Sequence, residues 1–334
     1  MPSFFSRLFF PFAARRFLRL ASKRARLGID LSFYLTEEPL RRDASRFGGK
    51  PFLPDGFKWP YYEFETTAFD DAKVRKMRRP LTFLLQLNLA ELASSDVDGR
   101  LPRAGFLYFF CEALSDDWGY SSTDKGRWRV YYYDVAPDSL RETSPPLEIY
   151  EFDDEDAELY SEFTKELPTL GIRFASKTTL PSVDELAALE PTFFVDKLFP
   201  NFLDDLQALR NQATGQETLW SSLIASLNHE NCEQKRTDFD APVYKQILGW
   251  GTSLQENAAA SCVSVHNGLD SSTREAVEES FRWTLLLQLN LPAFYDENDR
   301  RISFWGDSVL YFYIRDEELA ALNFDAVWLI GQCD

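Results

Sequence analysis

Histidine and cysteine are scarce in this chain of 334 residues, with two of the first, His229 and His266, and four of the second, Cys111, Cys232, Cys262 and Cys333. Two imidazoles exclude chemistry that needs several histidines within one chain. No two cysteines stand as C-x-x-C, and four thiols over this length do not make a disulfide framework. That usage, with the absence of any N-x-S/T sequon, points to the reducing cytoplasm. No apolar run approaches the roughly 20 residues of a membrane helix. A phosphate loop is missing too. Gly249–Leu254, GWGTSL, opens like G-x-G-x-x-G, but Leu254 stands where the third glycine belongs and no clear strand precedes it, so it reads as a tight turn. The calcium-loop windows at 94–105 and 296–307 fail in the same way. Gly105 occupies the place of the bidentate Glu in one, and Arg301 the place of the central Gly in the other.

What is present is an ordinary globular balance, 45% apolar and 27% charged, with 29 Phe, 14 Tyr and 8 Trp for a large core. The formal net charge is −17, unevenly spread: residues 1–79 carry +8 and residues 80–334 carry −25. The acidic body repels nucleic acid and anionic lipid and suits a basic protein partner. The first 30 residues differ from the rest. Arg7, Arg15, Arg16, Arg19, Lys23, Arg24 and Arg26 precede the first acid, Asp30. A helix from Ala13 would align Arg15, Arg19, Lys23 and Arg26 as a basic stripe. Two readings stand: a segment lying on a membrane surface or targeting an organelle, or a helix frayed from, or docked on, the acidic body. Residues 1–28 are expected to be dispensable for folding.

Two segments nearly repeat. PLTFLLQLNL at 80–89 and RWTLLLQLNL at 282–291 share T-x-L-L-Q-L-N-L at an offset of 202. Phe47-Gly48 and Leu53 match Leu248-Gly249 and Leu254 at 201, and Leu107-Tyr108-Phe109 matches Leu310-Tyr311-Phe312 at 203. Three ordered matches at near-constant offset point to an internal duplication. Each unit reads as strands: 82–89, 106–110 and 127–134 in the first, 284–291, 308–314 and 326–331 in the second, with a short helix over 316–322. Strand signal returns at 170–177. Helices are expected over 183–189, capped by Ser182, and over 193–211 and 219–228. The expected fold is α+β: internally duplicated antiparallel sheet units related by a pseudo-twofold axis, with a helical insert between them. The expected division is a basic N-terminal segment 1–30, a first sheet-rich half 31–182, a helical connection 183–240 and a second sheet-rich half 241–334, all in one body.

No complete catalytic or metal-ligating set emerges. His229 and Cys232 lack a second ligand pair. Cys262 and His266 have the residue types of a nucleophile and base, but no nucleophile signature surrounds them. Gln86 and Gln288 sit mid-strand among leucines at the same place in the two units. As buried amides they must find partners. One reading has them meeting at the junction of the halves; the other has them lining a shared cleft with Trp59, Trp305 and Asp307 as ligand candidates. Trp305-Gly306-Asp307 and Asp116-Asp117-Trp118-Gly119 read as ligand rims or as aromatic plugs over a sheet end. No cofactor is indicated.

SRFGGKPFLPDGFKWP at 45–60, PLTFLLQLNLAEL and LPRAGFLYFF, with QILGWGTSLQ at 246–255, WGDSVLYFYI and NFDAVWLIGQC, resemble the YwqG-like family of bacterial proteins of unknown function. The resemblance runs from about residue 40 to the end. It departs at the basic N-terminus and at Trp250-Gly251-Thr252, where the family tends to carry a proline-containing turn. It implies a cytosolic α+β protein with an internal duplication and brings no activity. The expected function is that of a non-catalytic binding or interaction protein, inhibitory or immunity-like. The alternative is an enzyme or small-ligand binder that uses the cleft between the halves.

Overall fold

The structure, a computed structural model, describes residues 19–36, 38–66, 75–112, 119–146, 169–189, 245–290, 294–295, 301–302 and 308–333. Its centre is one antiparallel sheet of ten strands. In chain order these are β1 (Arg26–Tyr34), β2 (Arg46–Phe47), β3 (Thr82–Asn88), β4 (Phe106–Cys111), β5 (Trp128–Tyr133), β6 (Leu170–Thr179), β7 (Lys245–Leu248), β8 (Trp283–Asn290), β9 (Val309–Arg315) and β10 (Trp328–Gln332). In space they run β10-β9-β8-β7-β1-β6-β2-β3-β4-β5. Exchanging β1 to β5 with β6 to β10 reproduces the same order read backwards. Chain and space disagree at the middle: β1 pairs with β7 rather than β2, and β6 pairs with β2 rather than β7.

The strands form where β-branched and aromatic residues fit a surface buried on both sides. Every residue of β3 and β4 is buried, as are all but the last residue of β8 and of β9. Such strands read as continuous apolar runs, not as alternation. Both leucine-rich strands carry a bulge at the same place, between Phe83 and Leu85 in β3 and between Leu285 and Leu287 in β8. The extra residue turns a side chain and strengthens the local twist.

The helices are few: α1 (Leu89–Leu92), α2 (Val183–Leu189), α3 (Ala258–Asn267), α4 (Arg274–Ser280) and α5 (Asp316–Ala320). Ser182 caps α2 as expected, accepting from the Glu185 amide at 3.2 Å while the Glu185 carboxylate accepts from the Ser182 amide at 2.7 Å. Helices α3 and α4 lie in the half expected to be sheet-rich, where a helix is expected only over 316–322. Asn257 caps α3 by accepting from the amides of Ala259 and Ala260, and Gly268 ends it in the left-handed conformation. Thr273 caps α4. The helices expected over 193–211 and 219–228 lie outside the described residues. Among the described residues no helix is long and apolar enough to cross a membrane. The class is α+β, as the sequence indicates.

Two expectations need correction. Strand β1 runs across the boundary expected at residue 30. Leu27, Ile29, Leu31 and Phe33 alternate along β1, and Arg26 pairs with Thr179 and Gly28 with Lys177 and Leu248. Residues 19–23 are helical, Ala21 is fully buried, and the Trp250 indole donates to the Arg24 carbonyl at 2.7 Å. A deletion through residue 28 therefore removes part of a central strand. The second correction is register. Arg46 faces Gln86 and Gln246 faces Gln288, so the turns after β2 and β7 correspond at an offset of 200, not 201. Gly48-Gly49 and Leu248-Gly249 are both left-handed at both positions, and Leu248 takes at φ 60° a conformation that favours glycine. Matching glycine to glycine shifts the alignment by one.

Candidate functional site

Gln86 and Gln288 do not meet. Both are 0% exposed, and each closes on a loop of its own half. The Gln86 Oε1 accepts from the Phe52 amide at 2.9 Å, and its Nε2 donates to the carbonyls of Arg42 at 2.8 Å and Ala44 at 3.2 Å. Tyr108, its neighbour on β4, donates its hydroxyl to the Phe52 carbonyl at 2.8 Å. Asn88 and Arg46 bind the carbonyls of Asp43 and Arg41, so four consecutive carbonyls of residues 41–44 end on side chains. In the other half the Gln288 Oε1 accepts from the Thr252 amide at 3.0 Å, its Nε2 donates to the Thr252 carbonyl at 2.9 Å, and Tyr311 donates to the same carbonyl at 2.8 Å. Gln332 continues the stitching along this loop, accepting from the Leu254 amide at 2.8 Å and donating to the Glu256 carbonyl at 2.7 Å. A glutamine and a tyrosine on neighbouring strands thus pin one residue outside the large sheet in each half, Phe52 at the start of the short strand Phe52–Pro54 and Thr252 in a loop. A strand, β7, does precede GWGTSL. The amides of Trp250, Thr252, Leu254 and Gln255 are nonetheless all held by protein acceptors.

The interior between the halves is packed. Phe109 meets Phe312 edge to face at 5.2 Å between ring centres. The two edge strands β5 and β10 approach without a backbone ladder, and side chains close the seam. Trp128 and Trp328 stand edge to face at 4.8 Å; the Trp128 indole donates to the Val327 carbonyl and the Trp328 indole to the Gly119 carbonyl, both at 2.8 Å. Lys125 Nζ reaches the carbonyls of Asp325 at 2.7 Å and Val327 at 3.1 Å. Gly119, at φ 85°, lies so close that an added Cβ would collide with the Leu329 carbonyl. Trp59 is elsewhere. Its indole donates to the Leu81 carbonyl at 2.8 Å and its ring meets Phe110 at 5.2 Å, within an aromatic layer on the outer face of β3 and β4. Trp305 and Asp307 lie outside the described residues, as do His229, Cys232 and residues 116–118. Trp59 packs on the layer that also holds Tyr108 and Phe52, on the side of Gln86, whereas Gln288 bonds only within the other half.

Cys262 and His266 do not form a dyad. The His266 Nδ1 is bonded at 2.9 Å to the Cys262 backbone carbonyl, and burial holds the Cys262 thiol well above its ordinary pKa. Among the described residues no group of three His, Cys, Asp or Glu side chains is placed to hold a metal.

Two features escape a reading of the sequence. Glu112, 1% exposed, accepts from Arg79 at 3.1 Å and from Arg127 at 3.0 Å, and the two guanidinium groups lie over Phe64 and Tyr62. Arg79 comes from the ribbon formed by Tyr61–Thr66 and Arg75–Pro80. Lys245 on β7 is 7% exposed, its ammonium 4.6 Å over the Phe33 ring, and burial lowers its pKa to about 8 against the pull of Asp30. Neither carries a local motif, because each depends on strands far apart in the chain.

A ten-stranded sheet in palindromic order, closed by side chains and carrying two pinned loops, defines a large α+β domain. Residues 45–333 match the family described as a domain of unknown function, DUF1963, and the chain belongs to that family. Among curated proteins, none matches the chain.

Proposed function

We propose that this DUF1963 protein is a non-catalytic binding protein of the YwqG-like bacterial type, working in the cytoplasm and engaging a basic protein partner in an inhibitory or immunity-like role. The observation that carries the reading is how the buried amides are used. Gln86 and Gln288 hold loop backbone in fixed positions, as a scaffold that presents rigid loops requires. Charge points to the partner. Glu275 and Glu278 on α4 and Asp316 and Glu317 on α5 are exposed, within a body of net −25 over residues 80–334.

The same reading holds that the chain arose by internal duplication. The palindromic strand order, the paired bulges and the two Gln–Tyr pins support it. Each copy then gives its first strand to the other, since β1 completes the sheet of β7 and β6 that of β2.

The test is capture of partners on the immobilised full chain across a salt series. A basic partner is expected to elute as ionic strength rises, and charge reversal at Glu275, Glu278, Asp316 and Glu317 is expected to abolish capture. If the wild-type chain captures nothing and a metabolite screen raises its Tm instead, the small-ligand alternative is correct.

A further inference from the structure

The seam between β5 and β10 gathers three basic side chains, His266, Arg315 and Lys125, around two tryptophans. His266, at the end of α3, stands edge to face with Trp283 at 5.0 Å and with Trp328 at 4.6 Å between ring centres. The Arg315 guanidinium lies 5.2 Å over the Trp283 ring, and the Lys125 ammonium lies 5.6 Å from the Trp328 ring centre. The opposing groups are few. Arg315 Nη2 donates to the Asn267 amide oxygen at 3.1 Å, and Glu317 is at 4.0 Å. Lys125 binds two carbonyl oxygens, with the Asp325 carboxylate near enough to attract it. The carbonyl end of α3 favours a cation beside it. The imidazole itself has one nitrogen engaged, Nδ1 on the Cys262 carbonyl, which leaves Nε2 as the group that takes up a proton.

A second observation comes from beneath Arg315 and beside His266. Trp283 is 2% exposed, and its indole N–H is buried with no acceptor among the described residues. A buried unmet donor is costly and marks a place where an acceptor belongs.

We propose that His266, Arg315 and Lys125, with the Trp283 indole N–H, form a binding site for a small oxyanion, a phosphate or carboxylate group, at the seam. The site goes beyond the partner-binding reading and does not depend on it. Electrostatics agree. Burial, then the nearby Arg315 and Lys125, hold His266 below its ordinary pKa in spite of the Cys262 carbonyl. Loss of solvent around its ammonium, then Arg129, brings Lys125 to about 8. A bound anion reverses both trends. Because Lys125 also joins β5 to the carbonyls before β10, occupancy ties ligand to seam closure.

The experiment follows His266 by NMR in the full-length His229→Gln variant, where it is the one imidazole. Its titration is recorded with inorganic phosphate and with acetate, against chloride at matched ionic strength. The expected result is a saturable rise of about half a pH unit or more in the His266 midpoint, with the Trp283 indole resonance moving in step. Phosphate without acetate, or the reverse, identifies the oxyanion. Arg315→Gln is expected to weaken the effect at least about tenfold, the loss of one charge-assisted bond, whereas Lys125→Arg keeps it. Chloride reproducing the shift, or a His266 midpoint and Trp283 resonance that neither anion moves, overturns the proposal.

Discussion

The two ends of the great sheet share a frame and differ in what covers it. On the side of β2 to β5, the outer face carries an aromatic layer of Phe83, Phe106, Tyr108 and Phe110 with Phe57, Trp59 and Tyr131. Exposed charges of both signs flank it, Lys58, Lys76 and Arg78 with Asp55, Glu63 and Glu65. On the side of β7 to β10, α3 and α4 join the main core, and the exposed charges of α4 and α5 are mostly acidic. Yet Gln86 with Tyr108 and Gln288 with Tyr311 hold Phe52 and Thr252 in the same manner. The pin cannot change without leaving a buried amide unmet, whereas a cover need only be apolar underneath. Frame and cover are therefore under different physical constraints.

The largest test of that comparison removes what joins the ends. Deletion of residues 1–28 takes Arg26 to Gly28 from the strand shared with β6 and β7, together with the Arg24 carbonyl under Trp250. The expected outcome is loss of a single cooperative thermal transition, read by circular dichroism. Next comes the contact between the halves. Phe312→Ala is expected to cost about 3–5 kcal/mol in denaturant unfolding. Combined with Phe109→Ala it should fall short of the sum by about 0.5–1.5 kcal/mol, because each ring is the other's partner.

Lys245 gives an effect of similar size with the opposite sign. Its folded pKa of about 8 lies below the ordinary 10.5, so between those values the unfolded chain binds more protons and the stability contributed by this group rises with pH. Below pH 8 the cost of holding the ammonium is fully present. Lys245→Met is expected to stabilise the protein at pH 7, by about 3 kcal/mol at most, and to flatten the rise in Tm between pH 8 and 10. A variant less stable than wild type at pH 7 contradicts this. The smallest effect is chemical. Cys111 and Cys262 are buried with raised pKa values, so alkylation of the native protein is expected to modify the partly exposed Cys333 and spare both. Peptide mass spectrometry reads it directly.

The frame was legible in the sequence and the covers were not. T-x-L-L-Q-L-N-L and the L-Y-F strands are buried on both faces, so few residue types fit and the two segments read alike. Helices α3 and α4 leave only cap signals, Asn257 before an alanine run and Gly268 after it for one and Thr273 for the other. The basic character of 1–30 hid the alternation of Ile29, Leu31 and Phe33. Of the site residues, the sequence identified Gln86 and Gln288 as buried amides with partners to find. It did not reveal that those partners lie within each half, because loop carbonyls leave no trace in side-chain identity. The seam cluster of Lys125, His266, Trp283, Arg315 and Trp328 joins residues some 200 positions apart and has no local pattern.

The central claim is that one pin occurs twice and that each closes within its own half. A double-mutant cycle tests it. Gln86→Leu and Gln288→Leu should each cost about 1–3 kcal/mol. Together they should add to within about 0.5 kcal/mol, since they share no partner. Gln86→Leu with Tyr108→Phe, and Gln288→Leu with Tyr311→Phe, should each depart from additivity by more than that, because both side chains of a pair hold the same residue, Phe52 or Thr252. Coupling between Gln86 and Gln288 as large as that within the pairs would contradict the account.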